Sequence, residues 1–326
     1  MTLPIVDMHC DLLSYLATTP DADAMNTTDI GCAIPHLQKG HVKLQVLAMF
    51  TRAEPGSSEI GLQESAAYRN LLRDHGDKIS PVNDVQALAG ITESDKIGVV
   101  AAIENAAGFC EADDTLAKGF QKLEQMIANV GRILYVTMTH HTENRFGGGN
   151  MSDNVGLKPD GEALLDYLHS RKIAVDFSHT SDALAEGTLT YMTKHNLDIP
   201  VLASHSNFRA VYTQARNLPD EIAGEIMHRG GLISLNFIRD FLNPENPAAL
   251  KDHLLHGLEI GAEDYLAFGA DYFYPEGHPG KYYFDAYKNA GEYQNIVAGL
   301  KSILTARQLE RISFRNAADF IREVWS

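Results

Sequence analysis

The sequence has little cysteine and no long apolar run. Its three cysteines, Cys10, Cys32 and Cys110, are odd in number and widely spaced, so we expect no disulfide framework and a reducing, cytoplasmic location. No run of about 18 apolar residues occurs, so no membrane span is predicted. The N-terminus also lacks the basic and apolar segments of a secretory signal.

Basic residues are scarce as well. The chain has 27 Lys and Arg residues against 43 Asp and Glu residues, which gives a net charge of −16. Because phosphate contacts need basic clusters, this composition argues against a nucleic-acid partner. The 326 residues, of which 44% are hydrophobic, are enough to bury a substantial core.

Short apolar segments alternate with segments of helical periodicity along the whole chain. The predicted strands are Ile5–Asp11, Leu44–Phe50, Ile97–Glu104, Ile133–His140, Ile173–His179, Val201–His205, Leu232–Phe237 and Leu266–Asp271. The predicted helices are Thr28–Lys39, Gly61–Leu72, Leu116–Ile127, Glu162–Ser170, Ser181–His195, Pro219–His228, Leu250–Ile260, Asn295–Leu304, Ala306–Arg311 and Ala317–Val324. This alternation predicts an α/β fold of the (β/α)8 TIM barrel type, with residues 1–326 as one domain.

The predicted strands repeatedly end in histidine or an acid. These residues are His9, Asp11, Glu104, His140, His179, His205 and Asp271. In a barrel the carboxyl ends of the strands meet at one mouth, so the side chains should converge there. Converging charges are costly unless they are compensated, and imidazoles with carboxylates suit a metal such as zinc. Each residue alone is still compatible with a satisfied buried histidine or a solvated acid.

Seven short motifs run in order through nearly the whole chain. They are Asp7–Leu12, Ile103–Asn105, Met138–His140, Val175–His179, Ser204–Ser206, Arg216–Glu221 and Phe268–Asp271. In sequence and order they resemble those of the membrane (renal) dipeptidase family, the M19 metallopeptidases among the amidohydrolase-like barrels. The resemblance implies hydrolysis of the peptide bond of free dipeptides, L-D dipeptides included, and a homodimer.

The resemblance also implies two zinc ions per chain, bridged by Glu104 and a hydroxide. His9, Asp11 and Glu104 would hold one ion, and Glu104, His179 and His205 the other. Two cations that share a hydroxide each make the water easier to deprotonate. Only an acid such as Glu104 has two free oxygens with which to bridge them.

Three further residues take roles from the resemblance and would contact the substrate. His140 would polarise the scissile carbonyl. Asp271 would take a proton from the attacking water and return it to the leaving amine. Arg216 would bind the C-terminal carboxylate of the dipeptide, although a surface arginine that forms an ion pair is the alternative reading of this residue.

The sequence departs from the family pattern at three places. Cys10 fills the middle of a motif that commonly reads His-Asn-Asp, and a second acid is missing from the run Asp271–Tyr274. Phe241 occupies the position of a tyrosine that helps to bind the carboxylate, and it has no hydroxyl. The choice of substrate depends on this last change.

Two loops are ambiguous in the sequence. The run Gly147–Gly149 predicts either a mobile lid or an ordinary turn. The aromatic segment Tyr272–Tyr287 predicts either a pocket wall or a subunit contact.

Three functions are consistent with these observations, and a metallo-dipeptidase is favoured. The second is a related binuclear amidohydrolase that acts on N-acyl amino acids, lactams or lactones. The third is a non-catalytic metal-binding or scaffold protein, against which the complete set of ligand residues and Asp271 argue.

Overall fold

Nine strands are found in the part of the chain that the computed structural model describes, residues 2–152, 154–276 and 279–326. They are β1 Ile5–Cys10, β2 Val42–Phe50, β3 Ile79–Pro81, β4 Ile97–Glu104, β5 Ile133–Thr137, β6 Ala174–Asp176, β7 Val201–Ala203, β8 Leu232–Leu235 and β9 Leu266–Phe268. All pairings between them are parallel, in the order β2-β1-β9-β8-β7-β6-β5-β4-β3. Because β2 also pairs with β4, eight of the strands close into a barrel, and β3 adds to the start of β4. The predicted TIM barrel is confirmed.

Helices surround the barrel on its outer side. They are α1 Leu12–Thr18, α2 Ile34–Lys39, α3 Ser57–Asp74, α4 Val85–Ala89, α5 Leu116–Val130, α6 Pro159–Leu168, α7 Asp182–His195, α8 Asp220–His228, α9 Arg239–Leu242, α10 Ala249–Glu259, α11 Pro279–Tyr282, α12 Tyr293–Leu300, α13 Ala306–Glu310 and α14 Asn316–Trp325. Short 3-10 turns lie at Ala106–Gly108, Asp285–Tyr287 and Ala290–Glu292, and a π-helical turn at Arg311–Arg315 joins the last two helices. None of the helices in the described ranges has the length and apolar character needed to cross a membrane.

Local sequence explains why these elements form. All eight residues of β4 are buried, as expected for a parallel strand that is covered on both faces. The Thr115 side chain caps α5 by accepting a hydrogen bond from the Lys118 backbone N–H. Ser181 caps α7 in the same way, and Asn196 ends that helix in a left-handed conformation with φ of 52°.

The core has two parts. One buried cluster fills the barrel interior with residues such as Val6, Val100 and Leu202, and helix α14 contributes Ile321 and Trp325 to it. The other cluster lies between the strands and the outer helices. The interior is therefore a packed core rather than a pore, and α14 packs against it.

An irregularity in strand β1 directs side chains toward the carboxyl-terminal mouth. The register of β1 against β2 shifts between Asp7 and Cys10, so β1 carries an extra residue there. Met8 belongs to the interior cluster, while His9 lies beside Glu104 inside the barrel. Without the bulge, alternation would turn one of these two side chains outward.

Several predicted strands run past the observed ends. The segments predicted to end at His140, His179 and Asp271 leave the sheet three residues earlier, at Thr137, Asp176 and Phe268. His179 and Asp271 have φ of 65° and 63°, which a strand cannot accommodate. These three polar residues therefore lie in the loops that follow the strands.

Other boundaries also differ from the predictions. The predicted helix Thr28–Lys39 is helical only over Ile34–Lys39, because residues 28–32 form turns. Helices α1, α4, α9 and α11 and strand β3 were not predicted. The remaining predicted helices are present, with ends displaced by a few residues.

The two ambiguous loops are well packed. Gly147, Gly148 and Gly149 are buried, and a Cβ on Gly149 would lie 2.1 Å from the His140 carbonyl oxygen. This packing favours a tight turn over a mobile lid. In the aromatic segment, the buried Tyr272 hydroxyl donates a hydrogen bond to the Tyr287 carbonyl, so these two rings belong to the protein interior.

Candidate metal centre

One imidazole nitrogen at the mouth of the barrel faces three carboxylates. His9 Nε2 lies 3.3 Å from Glu104 Oε2, 3.5 Å from Asp11 Oδ1 and 3.6 Å from Asp271 Oδ1. His9 and Glu104 come from the ends of β1 and β4, and the two aspartates from the loops after β1 and β9. All four residues are buried. The first half of the predicted ligand set is therefore brought together.

The other oxygen of Glu104 faces a second pair of imidazoles. Glu104 Oε1 lies 2.8 Å from His179 Nε2 and 3.4 Å from His205 Nε2. The two histidine nitrogens are only 2.9 Å apart. Because the two oxygens of Glu104 face different sets of residues, its carboxylate has the position that a bridging ligand requires.

Hydrogen bonds on the far side of two imidazoles leave their Nε2 atoms free. Tyr135 donates its hydroxyl proton to the Met8 carbonyl oxygen at 2.9 Å, so it can accept a hydrogen bond from His9 Nδ1 at 2.8 Å. Ser204 similarly donates to Asp176 at 2.6 Å and lies 2.7 Å from His205 Nδ1. Protonated Nδ1 atoms leave Nε2 lone pairs that point into the site, as metal-binding histidines need.

The electrostatics of the site fit a compensating cation. Burial raises the pKa of Asp271 well above its usual range and also raises that of Glu104. Burial likewise lowers the pKa of His179 and His205 well below the usual range, which keeps these imidazoles neutral. Within the described ranges, His9 Nε2 and Asp11 Oδ1 are buried without a hydrogen-bond partner. Neutral imidazoles, converging carboxylates and orphaned polar atoms together fit divalent metal ions.

His140 lies at the edge of this group. Its Nε2 is 3.8 Å from Glu104 Oε1, and its ring centroid is 4.2 Å from that of His179. It is more exposed than the other site histidines, with a side-chain exposure of 22%. Burial still lowers the pKa of His140 well below its usual range. A neutral imidazole at the rim can contact a bound substrate.

Asp271 is held from two sides. Its Oδ2 accepts a hydrogen bond of 2.7 Å from Asn236 Nδ2, and its backbone N–H donates to the His9 carbonyl oxygen at 3.1 Å. The Tyr283 hydroxyl also donates to the Asp271 carbonyl oxygen at 2.6 Å. These contacts stabilise the left-handed backbone of Asp271 and orient its other carboxylate oxygen toward His9.

Arg216 is buried in the mouth, which contradicts its alternative reading as a surface arginine. Its guanidinium donates to Ser206 Oγ at 2.7 Å and to the His205 carbonyl oxygen at 2.8 Å. Its Nε has no hydrogen-bond partner among the residues that the structure describes. Phe241 lies beneath the guanidinium, 5.5 Å from its carbon to the ring centroid. A buried cation with an unused N–H group is suited to bind an anionic group.

Four residues of the site were not predicted from the sequence. They are Tyr135, Asp176, Asn236 and His141, which contact His9, Ser204, Asp271 and His140 respectively. Asp176 could have been found, since it lies in one of the family motifs. His141 could have been found as the neighbour of His140. Nothing in the local pattern distinguishes Tyr135 or Asn236.

A parallel (β/α)8 barrel with imidazoles and carboxylates gathered at its carboxyl-terminal mouth is the architecture of a metal-dependent hydrolase. The family model for membrane dipeptidases (peptidase family M19) matches residues 1–325, and the chain belongs to that family. The resemblance found in the motifs is confirmed, and the protein is a metallo-dipeptidase by class.

Solved structures share the fold over essentially the full length. A metallo peptidase from Rhodobacter sphaeroides, liganded with a phosphinate mimic of the dipeptide L-Ala-D-Ala, is 17% identical with a TM-score of 0.85, and the match covers 100% of both chains. Dipeptidase AC, a metallo peptidase of family M19, is 18% identical with a TM-score of 0.85, covering 100% of this chain and 99% of that one. An amidohydrolase from Pseudomonas aeruginosa is 19% identical with a TM-score of 0.80, covering 99% and 97%.

Proposed function

We propose that the protein hydrolyses the peptide bond of free dipeptides at two zinc ions. One ion is assigned to His9, Asp11 and Glu104, and the other to Glu104, His179 and His205. The observation that carries this proposal is the position of Glu104, whose two oxygens lie 3.3 Å from His9 Nε2 and 2.8 Å from His179 Nε2. When bound, such ions lower the pKa of water and stabilise negative charge on the reacting carbonyl.

The choice of zinc rests on the ligand types. Three imidazoles and two carboxylates form a mixed nitrogen and oxygen set, which zinc accepts more readily than magnesium or calcium does. Protons also compete with the metal ions for the assigned ligands. Although burial alone would lower it, contacts with Tyr135 and Glu104 raise the pKa of His9 well above its usual range. A metal ion and a proton would therefore compete for His9 Nε2.

Asp271 is the proposed proton carrier. Its Oδ2 accepts a hydrogen bond from Asn236, while its Oδ1 lies 3.6 Å from Nε2 of the assigned ligand His9. A carboxylate in this position can take the proton from the attacking water and deliver it to the leaving amine. Because burial raises the pKa of Asp271, the acid holds a proton more readily than a solvated aspartate does.

His140 and Arg216 are proposed to bind two parts of the substrate, the scissile carbonyl and the C-terminal carboxylate. The neutral imidazole of His140 at the rim can donate a hydrogen bond to the scissile carbonyl oxygen, a contact that strengthens as negative charge develops. The unused Nε–H of Arg216 can donate to the substrate's carboxylate. The substrate would then be held between a polarising group and an anchor for its C-terminus.

The test is a kinetic screen of the zinc-loaded protein. L-Ala-L-Ala and L-Ala-D-Ala are compared with their amidated forms. We include the L-D isomer because the similar protein from Rhodobacter sphaeroides was solved with a mimic of L-Ala-D-Ala. Turnover of free dipeptides that requires zinc and falls on amidation supports the proposal. Absence of turnover with every dipeptide would overturn it.

A second function, hydrolysis of N-acyl amino acids, lactams or lactones, is favoured by one observation. Phe241 lies 5.5 Å from the Arg216 guanidinium and offers no hydroxyl to a carboxylate. A weaker contact with the carboxylate would relax the requirement for a free carboxylate, which a lactam or a lactone can lack. An N-acyl amino acid, a lactam and a lactone are therefore included in the same screen, and their turnover without that of dipeptides would favour this alternative.

We further propose that residues 1–326 act as one domain in a cytoplasmic homodimer. Strands from Ile5 to Phe268 belong to one sheet, and α14 packs against the barrel interior. All three cysteines are free and buried, which suits a reducing compartment. Sedimentation measures the oligomeric state, limited proteolysis the domain organisation, and cell fractionation the location.

A further inference from the structure

A cluster of three imidazoles contains a residue that the dipeptidase mechanism does not use. One nitrogen from each of His140, His141 and His179 lies within 4.8 Å of the others. The centroid of the His141 ring is 4.0 Å from that of His140 and 4.8 Å from that of His179. No carboxylate belongs to this group, unlike the zinc ligand sets assigned above.

The protonation of His141 is set by a neighbouring amide. Its Nδ1 lies 2.9 Å from Asn150 Oδ1, an oxygen that only accepts hydrogen bonds. Nδ1 therefore carries the proton, and Nε2 has the free lone pair. The His141 side chain is only half-buried, so an ion from solvent can reach that lone pair.

The glycine run Gly147–Gly149 holds this cluster together. A Cβ on Gly149 would lie within 2.5 Å of the carbonyl oxygens of both His140 and His141, so only glycine allows the loop to pack there. Just beyond it, the Asn150 N–H donates to the His179 carbonyl oxygen at 2.8 Å. Asn150 thus orients the His141 ring and holds the backbone of His179, so the fold itself fixes the arrangement of the three histidines.

The Nδ1 nitrogen of His179 has no role in the zinc site assigned above. The Nε2 of this residue faces Glu104 at 2.8 Å, whereas its Nδ1 is buried and has no hydrogen-bond partner in the described part of the chain. An ion at this nitrogen would replace the Nδ1 proton, which passes to solvent, and the resulting imidazolate would bridge that ion and the zinc ion assigned to Nε2.

We propose that His140, His141 and His179 form an additional, inhibitory site for a transition-metal ion. This inference rests on the proposed function, in which His140 contacts the substrate. The ion would bind the His140 imidazole and so prevent it from contacting the carbonyl oxygen of the substrate. An all-imidazole site favours zinc, copper or nickel and disfavours magnesium, which prefers oxygen ligands. Excess zinc should therefore inhibit the enzyme that stoichiometric zinc activates.

The experiment measures bound zinc and dipeptide turnover together over a titration with zinc chloride, with magnesium chloride as the parallel series. For the unaltered protein we expect two tightly bound zinc ions, then a third weaker one whose binding coincides with loss of turnover. Magnesium should cause no such loss. Turnover is expressed relative to its value at two zinc ions per chain, so that each variant is its own reference.

His141→Ala is the informative variant, and His228→Ala, which removes an exposed histidine at the end of α8, is the matched control. Even partners that only support metal ligands change metal affinity about 10- to 100-fold. The zinc concentration for half-inhibition should therefore rise at least about 10-fold in His141→Ala and stay unchanged in the control.

The outcomes separate the two proposals. A third zinc ion that still binds and inhibits in His141→Ala would overturn the inference, as would binding of only two ions with no inhibition at excess zinc. Both results leave the dipeptidase proposal intact. Absence of any bound zinc and of any turnover would instead overturn the proposed function itself.

Discussion

Replacing Asp271 by asparagine tests the proposed chemistry most directly. The amide has nearly the size of the carboxylate, and its oxygen can still accept the 2.7 Å hydrogen bond from Asn236. The backbone contacts of residue 271 with His9 and Tyr283 do not involve its side chain. The substitution therefore removes the ability to take up a proton while leaving the surroundings in place.

The expected loss follows from the role assigned to the carboxylate. General acid–base catalysis contributes about 10²- to 10⁴-fold to a rate, which corresponds to about 3–5 kcal/mol of transition-state stabilisation. We expect kcat for L-Ala-D-Ala to fall by this factor while KM changes little. Because His9, Asp11 and Glu104 retain their nitrogen and oxygen atoms, zinc content should stay at two ions per chain.

The assay combines steady-state kinetics with elemental analysis of the dialysed protein. Asp240→Asn is the matched control, since Asp240 is an exposed acid on α9 and should be neutral in both measurements. A kcat for Asp271→Asn within about threefold of the unaltered protein would refute the proton-carrier role. Loss of a zinc ion would show instead that Asp271 is a ligand.

Three further predictions concern other residues. His179→Ala should bind one zinc ion instead of two, measured by elemental analysis. Arg216→Ala should raise KM for free dipeptides by about 10- to 100-fold, because a hydrogen bond to a charged group contributes about 1.5–3 kcal/mol, and amidated dipeptides should be affected less in the same assay. Burial lowers the pKa of His253 from 6.5 to about 4, so the unfolded chain binds more protons at His253 between these values. The contribution of His253 to the free energy of unfolding is therefore present above pH 6.5 and is lost toward pH 4, by about 3 kcal/mol in total. His253→Gln should remove that part of the pH dependence of the unfolding free energy, measured with urea.

Each of these three has a result that contradicts it. Two zinc ions retained in His179→Ala would remove that residue from the ligand set. Equal changes in KM for free and amidated dipeptides would make Arg216 a structural residue. For His253, an unfolding free energy whose slope with pH is the same in both proteins would show that the buried imidazole accepts a proton without penalty.

Much of the candidate site was open to prediction because it is organised by the barrel. Strands such as Ile97–Glu104 are continuous apolar runs, and their carboxyl ends must meet at one mouth once the sheet closes. His9, Glu104 and His205 could therefore be placed together without knowledge of any distance. The sequence could not show that Tyr135 orients His9, because the two are 126 residues apart and meet only through the closed barrel.

The strand ends were less predictable. His179 and Asp271 follow apolar runs, so a pattern of hydrophobicity extends the strands to include them. Their positive φ values are imposed by contacts with distant groups, such as the hydrogen bond from the Asp271 backbone N–H to the His9 carbonyl. The local sequence gives no indication of such contacts.

The sequence by itself determined the alternation of strands and helices, the family and the residue types gathered at the mouth, because these depend on periodicity and on short motifs. Only the tertiary structure decided which oxygen of Glu104 faces which histidine, and that Arg216 lies buried above Phe241. It also brought His141 beside His179 through the turn at Gly149. These arrangements depend on bulges, left-handed residues and close backbone approaches, which arise from packing between segments far apart in the chain.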